Sequence, residues 1–306
     1  MHPPHESAKA SGLPRRAVAL GGAAACLAPG ATPAKKPPWR WLASDYAPIA
    51  IRQGPDAGQG YGQRMLDEVL WPALAEHDHE LTFVSSARLE AELRDQPATC
   101  AVLLRKTPKR AETWLYSVPM IRHLPVGLVV RAAELRNLRD LINARGEISL
   151  ARYLDRGHVV GVVGNRANGA GIDGLLEQRP QQRRSIVITD ANRATMAMVQ
   201  RQHDLSATLA YSFEVTYFNR QKARSETGQA ALTWLAIAEQ SDTLLAHAVC
   251  GRSPAGQAHI DAINALLRRS GVRERLQTLY ETWLDEPERK RLAALRQQMG
   301  SKFFEE

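Results

Sequence analysis

Apolar positions in this chain come in short bursts whose spacing changes from one segment to the next, and those changes predict its elements. Residues 39–51 are apolar but broken by Asp45 and Pro48, which predicts a strand running into an irregular loop, and Gly58-Gln-Gly-Tyr-Gly62 then marks a turn. Met65, Leu66, Val69, Leu70 and Leu74 recur three to four residues apart, predicting a helix over 63–77 with one buried face. Leu81 and Phe83 alternate as a short strand, 87–93 reads as a helix capped by Ser86, and Cys100-Ala-Val-Leu-Leu104 is continuous, as buried parallel strands are. Thr107-Pro108 follows at once. A Thr cap with Pro as first helical residue is a helix start, and its free backbone N–H groups beside Lys109 and Arg110 make a candidate anion site.

After a β-rich run over 124–131 and a polar connector, the alternation begins again. Strands are predicted over 158–163, 185–188 and 206–211, with helices over 170–178 and 192–200 between them. Two strand-like runs, 231–238 and 243–249, precede three helices. The first is capped by Ser253-Pro254 and carries Ile260, Ile263, Leu266 and Leu267, the second carries Leu276, Leu279, Tyr280, Trp283 and Leu284, and a charged third starts after Pro287. Strands alternating with helices imply parallel α/β sheets, and the restart near residue 131 implies two lobes of similar build.

The chain has 306 residues, 44% of them hydrophobic and 24% charged, which fits a folded two-domain protein and excludes disorder and coiled coil. Forty Lys+Arg against 32 Asp+Glu leave a net charge of +8. That balance suits an anionic solute as well as nucleic acid, but basic and aromatic residues are not interleaved as base-stacking surfaces require, so no nucleic-acid partner is expected. Residues 1–34 run from a polar stretch ending in Arg15-Arg16, through a short apolar run at 17–27, to a small-residue end at Ala34. This is the order of an export signal, and the Arg pair resembles a twin-arginine leader. An alternative to a mature chain starting after Ala34 is that Cys26, preceded by Ala23-Ala-Ala25, is a lipidated first residue. The expected compartment is the periplasm.

Only Cys100 and Cys250 would remain in the mature chain, either as one disulfide or as two unrelated buried thiols. Neither has CxxC spacing. His77-Asp-His-Glu80 holds four potential metal ligands, but consecutive residues on a connector rarely converge on one ion, so no metal is expected. Gly161, Gly164 and Gly169 match neither dinucleotide nor P-loop spacing, GxSxG is absent, and no cofactor is expected.

The order of these motifs resembles family 3 of the bacterial extracellular solute-binding proteins. The carriers are Ala43-Ser-Asp-Tyr-Ala-Pro48, Gly58-Gln-Gly-Tyr-Gly62, the run Cys100-Ala-Val-Leu-Leu-Arg-Lys-Thr-Pro-Lys-Arg110, Ser117-Val-Pro119, Leu128-Val-Val-Arg131, Gly161-Val-Val-Gly-Asn-Arg166 and the helix with Tyr280 and Trp283. The resemblance implies a two-lobed type II periplasmic binding protein fold, α/β, each lobe a mostly parallel sheet flanked by helices, joined by two crossover strands. Residues 35–126 and 242–306 would form lobe 1, and 127–241 lobe 2. It implies a monomer that closes on a small polar solute for an ABC importer. Arg110 matches the arginine that grips the solute carboxylate, with Asp45, Tyr46, Arg105, Thr107, Arg166 and Tyr211 completing the expected ligand set. Thr208-Leu-Ala-Tyr211 carries no carboxylate where the family places one for an amino group; Asp204 and Glu214 flank it without aligning, so an anionic solute is expected. Cys100 and Cys250 would lie on adjacent antiparallel strands and form a disulfide. Two rivals share the fold, an enzyme resembling cyclohexadienyl dehydratases, for which Asp45 is the one acid–base candidate, and a sensing module feeding a receptor.

Overall fold

The computed structural model describes residues 38–306 apart from 165, 189, 203–204 and 226–230, so the expected leader with Cys26 lies outside the described residues. Among the described residues no helix is long and apolar enough to cross a membrane. The first part of the chain builds β1 (Trp39–Ala43), β2 (His79–Phe83), β3 (Thr99–Leu104) and β4 (Trp114–His123). The chain then builds β5 (Val126–Arg131), β6 (Glu147–Ile148), β7 (Val160–Val163), β8 (Arg183–Ile186), β9 (Ala207–Tyr211) and β10 (Leu232–Ile237), and returns with β11 (Leu244–Gly251). These pair into two sheets, ordered β2-β1-β3-β11-β4 and β6-β10-β5-β9-β7-β8.

One strand in each sheet runs against its neighbours. β11 is antiparallel to β3 and β4, β5 is antiparallel to β9 and β10, and the other pairings are parallel. The reversed strand is in both cases the one that arrives from the other sheet, so the exchange of chain between lobes, not a hairpin, creates the antiparallel contacts. The result is a mixed α/β fold of two lobes flanked by helices. Three helices follow β11 as predicted, Pro254–Leu267, Val272–Glu281 and Glu286–Met299, and Ser253 caps the first by accepting from Gly256 N at 2.9 Å.

Local differences from the sequence reading have physical causes. The helix beginning at Tyr61 passes through a π-helical turn at Leu66–Leu70 and stops after Ala73, four residues early, because Pro72 removes a donor from its last turn. Ser85 rather than Ser86 caps Ser86–Asp95, its Oγ accepting from Arg88 N at 3.3 Å. β8 is displaced two residues towards the N-terminus since its one partner, β7, spans only Val160–Val163, leaving Val187 and Ile188 72% and 60% exposed beyond the paired edge. The helix Ser212–Ser225 was not foreseen. Phe213, Val215 and Phe218 are buried among residues of both lobes, so its apolar positions trace no single face.

The glycine motif ahead of the Tyr61 helix is set by close approach. A Cβ on Gly62 would stand 2.9 Å from the Ile49 carbonyl oxygen and 3.2 Å from Leu103 Cδ1, which holds the 46–50 loop down on β3. Leu103 itself sits at φ +64° on that strand, a conformation unfavourable for a branched side chain.

Cys100 and Cys250 face each other in the β3–β11 register with Cα atoms 4.1 Å apart and are joined as a disulfide, both fully buried. The bond therefore ties the strand that returns from the second lobe to the centre of the first. Closing a loop of 150 residues' separation restricts the unfolded chain by about 5 kcal/mol in the chain-entropy account. Replacing both cysteines by serine is expected to lower the unfolding free energy in urea by most of that amount, read by circular dichroism; an unchanged unfolding free energy would show that the bond does not form.

Candidate functional site

Where the C-terminal ends of β7 and β9 meet the loop after β1, five side chains converge. The tight turn 46–50, with Tyr46 N donating to Ala50 O at 2.9 Å and Ala50 N returning to Tyr46 O at 3.0 Å, fixes Tyr46 at the seam between the lobes. Its hydroxyl donates to Glu214 Oε1 at 2.6 Å. Glu214 is 2% exposed in the first turn of Ser212–Ser225. From within its own lobe it also accepts from Asn192 Nδ2 at 2.6 Å, from Arg166 Nη1 and Nη2 at 3.3 and 3.0 Å, and from Tyr211 N at 2.6 Å. Five donors meet a group with about four lone-pair sites, so the carboxylate is saturated.

Arg166 is fixed as completely. Its guanidinium grips Glu214 with both terminal nitrogens, donates to Asn192 Oδ1 at 2.9 Å and lies 4.8 Å above the Tyr211 ring. Burial opposes its charge, but Glu214 beside it, with the Tyr46 and Tyr211 phenols, outweighs that and holds the guanidinium above its ordinary pKa. Burial pushes the Tyr46 phenol well up, so it is a donor. Behind Tyr46, a cavity of about 120 Å³ is lined by Ala43, Ile49, Leu66, Leu81 and Leu103. The larger cavity, about 420 Å³, lies at the opposite end of the second sheet around Arg131, Tyr153 and His158.

The remaining expected residues are placed elsewhere. Thr107 caps Pro108–Ala111 by accepting from Arg110 N at 3.3 Å, as the sequence indicated. Arg110 turns towards Glu90, donating to its Oε1 at 2.5 Å, and packs 5.3 Å over the Trp114 ring. The anion seat expected there is thus met by a carboxylate of the same lobe. Asp45 is exposed and accepts from Arg52 N at 3.1 Å, within its own loop. Arg105 is half-buried at the end of β3, where its charge helps disfavour a proton on His123.

Glu214 is the residue the sequence reading set aside. It stands three positions after Tyr211, and only the tight start of a helix brings it back under the strand end, where its Oε2 takes the Tyr211 N–H. A Glu three residues after the end of a buried strand, the spacing at which a side chain reaches back to the backbone N–H at a helix start, was the available signal. His79 is structural: Trp41 Nε1 donates to its Nδ1 at 3.2 Å and its Nε2 meets Leu74 O at 3.1 Å. His259 Nδ1 lies 3.6 Å from Cys100 Sγ, but the sulfurs are bonded to each other, leaving one nitrogen donor where a metal needs several.

No protein-family model and no curated protein sequence matches the chain. Solved structures do. The probable amino-acid ABC transporter extracellular-binding protein ytmK from Bacillus subtilis aligns with a TM-score of 0.59 at 14% identity, over 81% of this chain and 97% of that one. The BvgS periplasmic VFT2 domain of Bordetella pertussis aligns at 0.54 and 18% identity, over 80% and 93%. A structure described for glutathione import via GshT and the cystine ABC importer TcyBC of Streptococcus mutans aligns at 0.57 and 14%, over 80% and 95%. The chain has the two-lobed fold of the periplasmic binding proteins. Within that fold it is similar at low identity to transport binding proteins and to sensor domains alike.

Two outcomes follow from the buried charges. Arg166→Met is expected to lower stability by about 3 to 5 kcal/mol by stranding Glu214, and the double variant Arg166→Met/Glu214→Leu to recover much of it; additive losses in urea denaturation would contradict the coupling. His123, against Tyr211 at 5.5 Å, is pushed down to about 4 by burial, below the ordinary value near 6.5. The unfolded chain therefore takes up this proton first as pH falls. Stability is expected to drop by about 2 kcal/mol from pH 7 to pH 5, and His123→Asn to reduce that slope. An identical slope in the variant would contradict it.

Proposed function

We propose that this chain is an extracytoplasmic solute-binding protein, exported by its first 34 residues, that takes a small solute bearing both a carboxylate and an amino group and presents it to an ABC importer. The Arg166–Glu214 pair beneath Tyr46, at the seam between the lobes, carries this reading. A solute offering only negative groups would draw Arg166 away and leave Glu214 buried without a counter-charge, at a cost of several kcal/mol. A zwitterion exchanges partners instead. Its carboxylate takes the Arg166 fork while its ammonium takes Glu214, so each buried charge remains paired. Of the solutes expected from the sequence, amino-acid-like or carboxylate, this reading favours the amino-acid-like. The apolar cavity behind Tyr46 offers room for a small aliphatic side chain.

The amino-acid transport binding proteins among the similar structures favour import. A sensing module is the second reading, favoured by the fold's likeness to the BvgS domain and to a histidine kinase sensor domain. For a dehydratase-like enzyme the sequence offered Asp45, whose carboxylate is exposed and bound to its own loop, and Glu214 already has every lone pair engaged.

A thermal-shift series with neutral amino acids, dicarboxylates and simple amines tests the reading. A neutral amino acid at 100 times its dissociation constant is expected to add about 2.7 kcal/mol of stability. Arg166→Met should abolish that shift, whereas Arg110→Ala, remote from the pair and matched by Glu90, should keep it. A shift with dicarboxylates alone, or loss of the amino-acid shift in Arg110→Ala, would overturn the assignment.

A further inference from the structure

The helix Ser212–Ser225 belongs to the second lobe, yet it is docked on the first along its length. At its start, Glu214 accepts from Tyr46, and Phe213, 2% exposed, meets Tyr61 and Tyr280 edge-on at 5.7 and 6.1 Å. One turn on, Tyr217 packs on Trp283 at 5.6 Å, and Arg220 donates to Thr282 O at 3.0 Å while lying 5.2 Å over the same indole. At its end, Gln221 and Arg224 both donate to Asp56 Oδ2, at 2.5 and 2.8 Å. The buried cluster accordingly runs without a break from Trp41, Tyr61 and Tyr280 of one lobe to Phe213, Phe218 and Trp234 of the other.

We infer that Glu214 is a built-in stand-in for a solute carboxylate: it fills the Arg166 seat in cis, and through Tyr46 and the docked helix it latches the two lobes together without any solute. The chemistry of the seat supports this directly. A forked guanidinium, an amide nitrogen, a backbone N–H and a phenol from the opposite lobe are the donors a free carboxylate bound between lobes would need, and here all of them point at a residue of the chain itself. Separating the lobes would break the Tyr46 bond to a charged acceptor and expose Phe213 and Tyr61 to water, so both polar and apolar contributions favour the joined state. The protein is therefore closed at rest, and a solute replaces an internal contact instead of drawing open lobes together. This inference goes beyond the proposed function and does not depend on which solute is bound.

Small-angle scattering on the mature chain, unfolded and refolded to remove any co-purified solute, tests the latch. The parent protein is expected to give the radius of gyration of the closed, two-lobed structure. Glu214→Ala should expand, and acetate at tens of millimolar should return it to the parent value by occupying the vacated Arg166 seat. Tyr46→Phe, which removes one hydroxyl and leaves the Arg166–Glu214 pair intact, should speed amide exchange over 46–50 and 211–215 about tenfold, the equivalent of one hydrogen bond to a charged group. An expanded parent protein overturns the inference, as does a Glu214→Ala variant that stays compact or one that expands without responding to acetate. If Glu214→Ala does not fold, unchanged exchange in Tyr46→Phe overturns it. A closed parent protein that takes up no amino acid would reject the proposed solute and leave the latch standing.

Discussion

A carboxylate taken out of water must be given donors, and the rest of this structure is arranged so that Glu214 receives them. Removing an ion of that size from solvent costs several kcal/mol even after relaxation, which no single hydrogen bond offsets. The donors therefore come from four places: a loop of the first lobe, the ends of β7 and β9, and the start of the helix after residue 190. Each must be held in register with the others. The Tyr46 turn, the strand ends and the first turn of Ser212–Ser225 thus share one polar focus, and a displacement of any of them would strand charge in the interior.

Around that focus the fold supplies an apolar seam. Phe213 stacks on Tyr211 at 5.0 Å and meets Tyr61 and Tyr280 edge-on, so the residue beside the buried acid is itself part of the contact between lobes. The polar and apolar parts support each other. The rings keep water from the ion pair, which strengthens it, and the ion pair fixes the helix start from which Phe213 projects.

The crossing of the chain between sheets gives this arrangement its frame. β5 and β11 each enter a sheet from the other side, and the Cys100–Cys250 bond anchors β11 to β3. Arg122, at the end of β4, donates to Thr243 Oγ1 on the returning segment at 2.7 Å and to the Phe303 and Glu305 carbonyls at 2.5 and 2.6 Å. Outgoing strand, returning segment and C-terminal residues are so fastened at one guanidinium, close to where the lobes join.

The sequence by itself determined the alternation of strands and helices, the two-lobed architecture and the Thr107 and Ser253 caps. Each rests on local chemistry: spacing of apolar residues along a strand or helix, a hydroxyl three residues before a free N–H, proline at a first turn. The pairing of Cys100 with Cys250 was legible only through the resemblance, because 150 residues separate them and no local rule brings them together. Tertiary structure alone decided which arginine is buried with a carboxylate. Arg110 and Arg166 both follow a buried strand, so nothing local distinguishes them. Arg110 meets Glu90 from a neighbouring helix of its own lobe, and Arg166 meets Glu214, whose position depends on a helix that turns back under β9 and is buried from both sides. A charge's partner is set by what the fold packs against it over long separations, and that is the information one-dimensional spacing lacks.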